Sequence, residues 1–123
     1  MPADRLQNVY VGTRDMTASR HFYEEVLGLK PKFADAERWV QYDAGGANFA
    51  VGSPAEFPEG AAGAVAVFEV SDLDARRSRL ADAGIRIVAS RDMGDHGRTI
   101  TVVDPAGNYL QLFERQVRSI LQK

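Results

Sequence analysis

The chain repeats itself, and that repetition restricts its fold more than any other feature. Asp15-Met16 and Ala18 return as Asp72-Leu73 and Ala75, 57 residues further on. Asp43 and Gly46 return as Asp104 and Gly107, 61 residues further on. A duplicated unit of about fifty residues must place the same elements in the same order twice.

Within the first copy, residues 6–12 (LQNVYVG) read as a strand, rich in β-formers. Asp15 is positioned to cap a helix. Ala18, Phe22 and Val26 follow at a spacing of four, with Tyr23 and Leu27 as a second pair. Gly28 ends that helix. Strands are predicted at 30–34, 38–42 and 48–52, with a turn at 43–46. Residues 53–63 (SPAEFPEGAAG) form a linker. The second copy predicts a strand at 64–70 and a helix capped by Ser71, with Asp74 in the reciprocal place. That helix turns Leu73, Leu80 and Ala83 inward and stops at Gly84. Strands at 85–90, 99–103 and 108–113 follow. In the stretch Asp104 to Glu114 (DPAGNYLQLFE), Pro105 presets one turn residue and Gly107 accepts positive φ. Residues 114–123 predict a short terminal helix with Val117, Ile120 and Leu121 along one side. One domain covering residues 1–123 is expected, with modules at 5–52 and 64–114 and a tail at 115–123.

Strand alternation divides the side chains into two sets. One phase is wholly apolar: Val9, Val11, Phe49, Val51, Ala66, Phe68, Val70, Ile100, Val102, Leu110 and Leu112. It suits packing beneath the helices. The other phase holds Asn8, Tyr10, Asn48, Ala50, Val65, Val67, Thr99, Thr101, Tyr109, Gln111 and Phe113. Amides, hydroxyls and rings interleaved with small residues are what a ligand-lined cavity requires. A lined cavity fits this set best; a partly wet sheet face or a dimer contact is the alternative. Trp39 cannot be phased.

Composition removes several classes of function. Fifteen basic residues against 17 acidic ones give a net charge of −2, and no basic block marks a nucleic-acid or anionic-membrane surface. The absence of cysteine excludes disulfides and thiolate chemistry. MPADRLQ is not a secretory leader and no apolar run spans a bilayer, so a cytoplasmic protein is expected. His96, Asp95 and Arg98 share a glycine-flanked loop, where proton transfer or anion binding competes with plain solvation. His21, beside the i,i+4 pair Arg20 and Glu24, reads as helix surface. Arg76, Arg77 and Arg79, interspersed with Asp72, Asp74 and Asp82, read as a salt-laced helix face.

NVYVGTRDMTASRHFYEEVLGL near the start and HGRTITVVDPAGNYLQLFE near the end resemble the glyoxalase / bleomycin-resistance / extradiol-dioxygenase superfamily, the vicinal oxygen chelate fold. The resemblance implies an α+β fold: two βαβββ modules forming a curved eight-stranded sheet around a concave cavity, helices outside. It also implies association as a homodimer. In that family a divalent metal is held from the first, fourth, fifth and eighth strands, and the matching positions here are Asn8, Ala50, Val65 and Gln111. None is His, Asp or Glu, and two cannot ligate at all. The family's metal site is therefore expected to be missing and no cofactor is expected. The function expected is metal-independent binding of a small, partly apolar molecule by Asn8, Tyr10, Asn48, Val65, Val67, Thr99, Thr101, Tyr109, Gln111 and Phe113. The alternative is a lyase, isomerase or dioxygenase with an atypical metal site or acid-base groups.

Overall fold

The computed structural model describes residues 6–57 and 63–116. The predicted terminal stripe of Val117, Ile120 and Leu121, and residues 58–62 of the linker, lie outside the described residues. The elements form two compact units. The first takes the described residues up to Ala64 together with Asp104–Asn108, and the second takes Val65–Val103 and the residues from Tyr109 onward.

In the first unit, β1 (Val9–Gly12) leads through α1 (Met16–Arg20) to β2 (Lys30–Asp35), β3 (Trp39–Asp43) and β4 (Asn48–Gly52). The strand order is β1-β4-β3-β2, with β1 parallel to β4 and the other pairs antiparallel. In the second unit, β5 (Ala66–Glu69), α2 (Leu73–Asp82), β6 (Ile87–Asp92), β7 (Arg98–Val103) and β8 (Tyr109–Glu114) repeat that plan. Their order is β5-β8-β7-β6, with β5 parallel to β8. The molecule is thus α+β, built from two βαβββ modules whose eight strands are hydrogen-bonded as two four-stranded sheets.

The duplication extends to single atoms. Asp15 Oδ1 accepts from the Ala18 N–H at 3.0 Å, and Asp72 Oδ1 accepts from the Ala75 N–H at 3.1 Å. The second helix is therefore capped by Asp72, not by Ser71. Asp72 sits at φ 54°, a left-handed conformation that its short polar side chain tolerates. Each Asp-to-Gly turn also recurs: Asp43 Oδ1 accepts from Gly45 and Gly46 N–H groups, and Asp104 Oδ1 from Ala106 and Asn108.

Helix α1 departs from the expected α-helical period. After Arg20 the chain widens into a π-helical turn, His21–Val26, in which the Leu27 N–H reaches back to the Phe22 carbonyl at 2.9 Å. The wider turn brings consecutive residues Phe22 and Tyr23 both into the core, while Ala18 and Val26 are only half-buried. Burying two such rings stabilises the fold by about 1.5–3 kcal/mol each, enough to offset the poorer helical geometry. Tyr23 packs 5.0 Å from Phe49 and 6.1 Å from Tyr42, ring to ring, and Val40 and Val51 of the same unit are also buried. In the second unit Leu73 and Leu80 are buried with Ile100, Val102, Leu110 and Leu112, whereas Ala83, expected inside, is exposed. The apolar phase is thus the core phase in both units. No buried side-chain nitrogen or oxygen among the described residues lacks a partner. Polar groups able to meet a ligand therefore lie on the other faces. No helix among the described residues is long and apolar enough to cross a membrane.

Candidate functional site

Strand register assembles the mixed face of each unit into rows, because directly paired residues point to the same side. In the second unit one row runs Val67, Gln111, Thr101, Ala89 across β5, β8, β7 and β6. The next runs Glu69, Phe113, Thr99 and then β6. Gln111 Nε2 donates to Thr101 Oγ1 at 3.1 Å, and both side chains are half-buried. Val65, Val67 and Tyr109 are each about half exposed beside them. The face therefore offers an amide-hydroxyl pair inside an apolar border. The Thr101 hydroxyl can still donate and the Gln111 carbonyl oxygen can still accept, since each group carries more capacity than one bond uses.

The first unit's mixed face is occupied by its own aromatic side chains. Tyr10, Ala50 and Gln41 share one row, and Gly12, Gly52 and Trp39 the next. The Tyr10 ring lies 4.9 Å from Trp39 and 4.9 Å edge-on from Phe57, and its hydroxyl donates to the Glu56 carbonyl at 2.8 Å. Glycine leaves room beneath them: a Cβ at position 12 would sit 3.0 Å from Phe57, and one at position 52 would sit 3.1 Å from Trp39, so either would press the ring outward. Trp39, which alternation left unassigned, belongs to this face and donates to Gln41 Oε1 at 3.3 Å. Asn48 is held locally, donating to the Gln7 carbonyl at 2.9 Å and accepting from Lys32 Nζ at 2.9 Å. Asn8 precedes β1 and Val65 precedes β5 by one residue each. Sequence alone missed Phe57 and Gln41; only the parity of β4 and the sharp turn after it could have signalled them.

The glycine-flanked loop separates its three polar residues. Arg98 Nη2 contacts Glu114 Oε1 at 2.6 Å and Nη1 contacts Asp74 at 3.3 Å, while Glu114 Oε2 accepts from the Leu73 N–H at 2.9 Å. The Arg98 bond, aided by the Leu73 N–H, holds the Glu114 carboxyl below its ordinary range. Gly97 allows this arrangement, since any Cβ there would lie 2.3 Å from the Glu114 carbonyl oxygen. Arg98 thus secures the start of α2, and His96 and Asp95 stay exposed in the preceding turn. His21 is exposed and Arg20 pairs with Glu24 at 2.6 Å. Arg77 donates to Ser90 Oγ at 2.6 Å.

The four positions that would hold the family's metal do not fit a divalent ion. Ala50 is fully buried and, like Val65, has no donor atom; Gln111 turns its amide nitrogen to Thr101; Asn8 is a neutral amide. Among the described residues no three His, Asp or Glu side chains gather into a group able to hold a metal.

Two βαβββ modules, each with one apolar and one mixed face, define the class of fold. The chain belongs to the Glyoxalase/Bleomycin resistance protein/Dioxygenase superfamily, whose model matches residues 5–112. Solved structures share the fold at low identity. A lactoylglutathione lyase from Agrobacterium tumefaciens superposes with a TM-score of 0.73 at 18% identity, over 93% of this chain and 96% of that one. TnmS3, an antibiotic binding protein from a Streptomyces species, gives 0.71 at 24%, over 94% and 99%. A variant of the fosfomycin resistance protein FosX from Listeria monocytogenes, complexed with Mn(II), gives 0.75 at 12%, over 94% and 94%. No match is found among proteins of curated function.

Proposed function

We propose that this protein binds a small, partly apolar molecule without a metal, on the mixed face of the second unit. The observation that carries this reading is the Gln111–Thr101 pair set among half-exposed Val65, Val67 and Tyr109. Exposed apolar side chains around a partly satisfied polar pair lose unfavourable hydration when covered, and the pair orients what covers them. Thr99 and Phe113, in the adjoining row, extend the same surface. Chemistry at a metal is disfavoured by donors: two of the four inherited positions carry only hydrocarbon. Sequestration in the manner of an antibiotic-binding relative requires only the surface; isomerisation or oxygenation would require groups that the described faces do not assemble. The test is a thermal-shift screen with small aromatic and heteroaromatic compounds, run with and without EDTA. Hits that persist in EDTA and weaken in Gln111→Ala and Thr101→Val support binding on this face. A screen without hits, or hits abolished by EDTA, overturns it.

A further inference from the structure

We propose that the second unit's mixed face selects small apolar compounds carrying one carboxylate, with Arg91 as the residue that sets this specificity. The inference rests on the binding reading above and adds the charge of the ligand. Arg91 pairs with Thr99, which pairs with Phe113, which pairs with Glu69, so the four form one row across the sheet. The irregularity between Ile87 and Ala89 shifts the phase of β6 and hides this from simple alternation. Ser90, one residue earlier, settles the phase independently, because its hydroxyl is held by Arg77 of α2 on the opposite side.

The charges on this face do not cancel. The Glu69 carboxylate is paired with Arg115 at 3.2 Å, at the far edge of the row. Arg91 is exposed and, among the described residues, has no carboxylate within ion-pair reach. Arg91 thus places an uncompensated cation on the same side as the Thr99 and Thr101 hydroxyls, in a chain whose net charge is −2. A guanidinium presents two parallel N–H donors that match a carboxylate. Strands spaced by about 4.8 Å put β6 roughly 10 Å from β8, the length of a two-ring carboxylate. Its rings would cover Thr99 and Phe113 while its carboxylate meets Arg91. An edge-strand cation that serves only to block strand pairing would show no such preference.

The experiment compares 2-naphthoate with its neutral amide, 2-naphthamide, by isothermal titration at low and high salt. The native chain is expected to bind 2-naphthoate about tenfold more tightly than the amide, with the margin shrinking as salt rises. In Arg91→Gln the preference falls to within about twofold; Arg91→Lys keeps part of it; Arg77→Gln, whose guanidinium reaches Ser90 on the helix side of the sheet, keeps all of it. Equal binding of the two probes by the native chain, or a preference that survives Arg91→Gln in a variant of native melting temperature, overturns the role of Arg91 and leaves the binding face standing. Binding of neither probe at millimolar concentration removes the inference together with the reading it rests on.

Discussion

Asp104 shows how one buried carboxylate gathers donors from distant parts of the chain. Its carboxylate is buried in the first unit and accepts from the Tyr23 hydroxyl at 2.8 Å, the Asn108 side chain at 2.9 Å and the backbone N–H groups of Ala106 and Asn108. Asn108 in turn donates to the Gly12 carbonyl at 2.6 Å. Burial, reinforced by the Asp104 charge, raises the Tyr23 hydroxyl far above its ordinary pKa, so it stays a donor at every physiological pH. Tyr23→Phe removes one donor to a charged acceptor and is expected to cost about 1.5–3 kcal/mol in chemical denaturation. Asp104→Asn should cost more, because an amide nitrogen there faces donors; an unchanged midpoint in either variant would exclude the network as a stabilising element. Glu114 makes a different prediction. Its folded-state pKa is depressed below 4.5, so its contribution is complete above that pH and is lost as pH falls through the lower folded value. Melting temperature followed from neutral pH down to about pH 3 should fall more steeply for the native chain than for Glu114→Gln, which starts lower. Parallel curves would show that the Arg98 bond contributes nothing.

At the scale of elements, the duplicated caps are the clearest link from sequence to structure. Asp15 and Asp72 each satisfy an N–H three residues on, and each substitution to Ala should cost about 1 kcal/mol, read from the denaturation midpoint. Position 72 adds a backbone requirement at φ 54°. Asp72→Asn should therefore be nearly neutral and Asp72→Ala the worse of the two alanine variants. If both alanine variants cost the same, the left-handed conformation carries no penalty. The elements also explain why the helix pattern misled. Spacing of four at Ala18, Phe22 and Val26 describes an α-helix, but a π-helical turn places adjacent Phe22 and Tyr23 inside together. No local signal announces that widening; it is set by Tyr42, Phe49 and Asp104, which the tyrosine reaches.

For the whole molecule, the decisive measurement is metal content. Plasma mass spectrometry of protein purified without affinity metals should find nickel, zinc, manganese and iron well below one equivalent, and adding any of them should leave the melting temperature unchanged. Stoichiometric metal, or stabilisation by it, would return the chain to the enzymatic branch of its superfamily. The two units also differ in what their mixed faces do. In the first, Tyr10, Trp39 and Phe57 cover the sheet over Gly12 and Gly52; in the second, Gln111 and Thr101 are half-buried and Val65, Val67 and Tyr109 are about half exposed.

The sequence by itself determined the paired βαβββ plan, the core phase of the strands, the aspartate turns and the uncharged side chains of Asn8, Ala50, Val65 and Gln111. These are local or periodic properties, written in one residue or in a spacing of two. Tertiary structure decided the rest. It placed Trp39 and Phe57 on Tyr10, turned Arg98 away from His96 to Glu114, and brought Arg91 into line with Thr99. Each of those outcomes depends on register, a bulge or a close approach between residues far apart in the chain. A one-residue shift reverses a side chain's direction, and only the packed partner determines which direction holds.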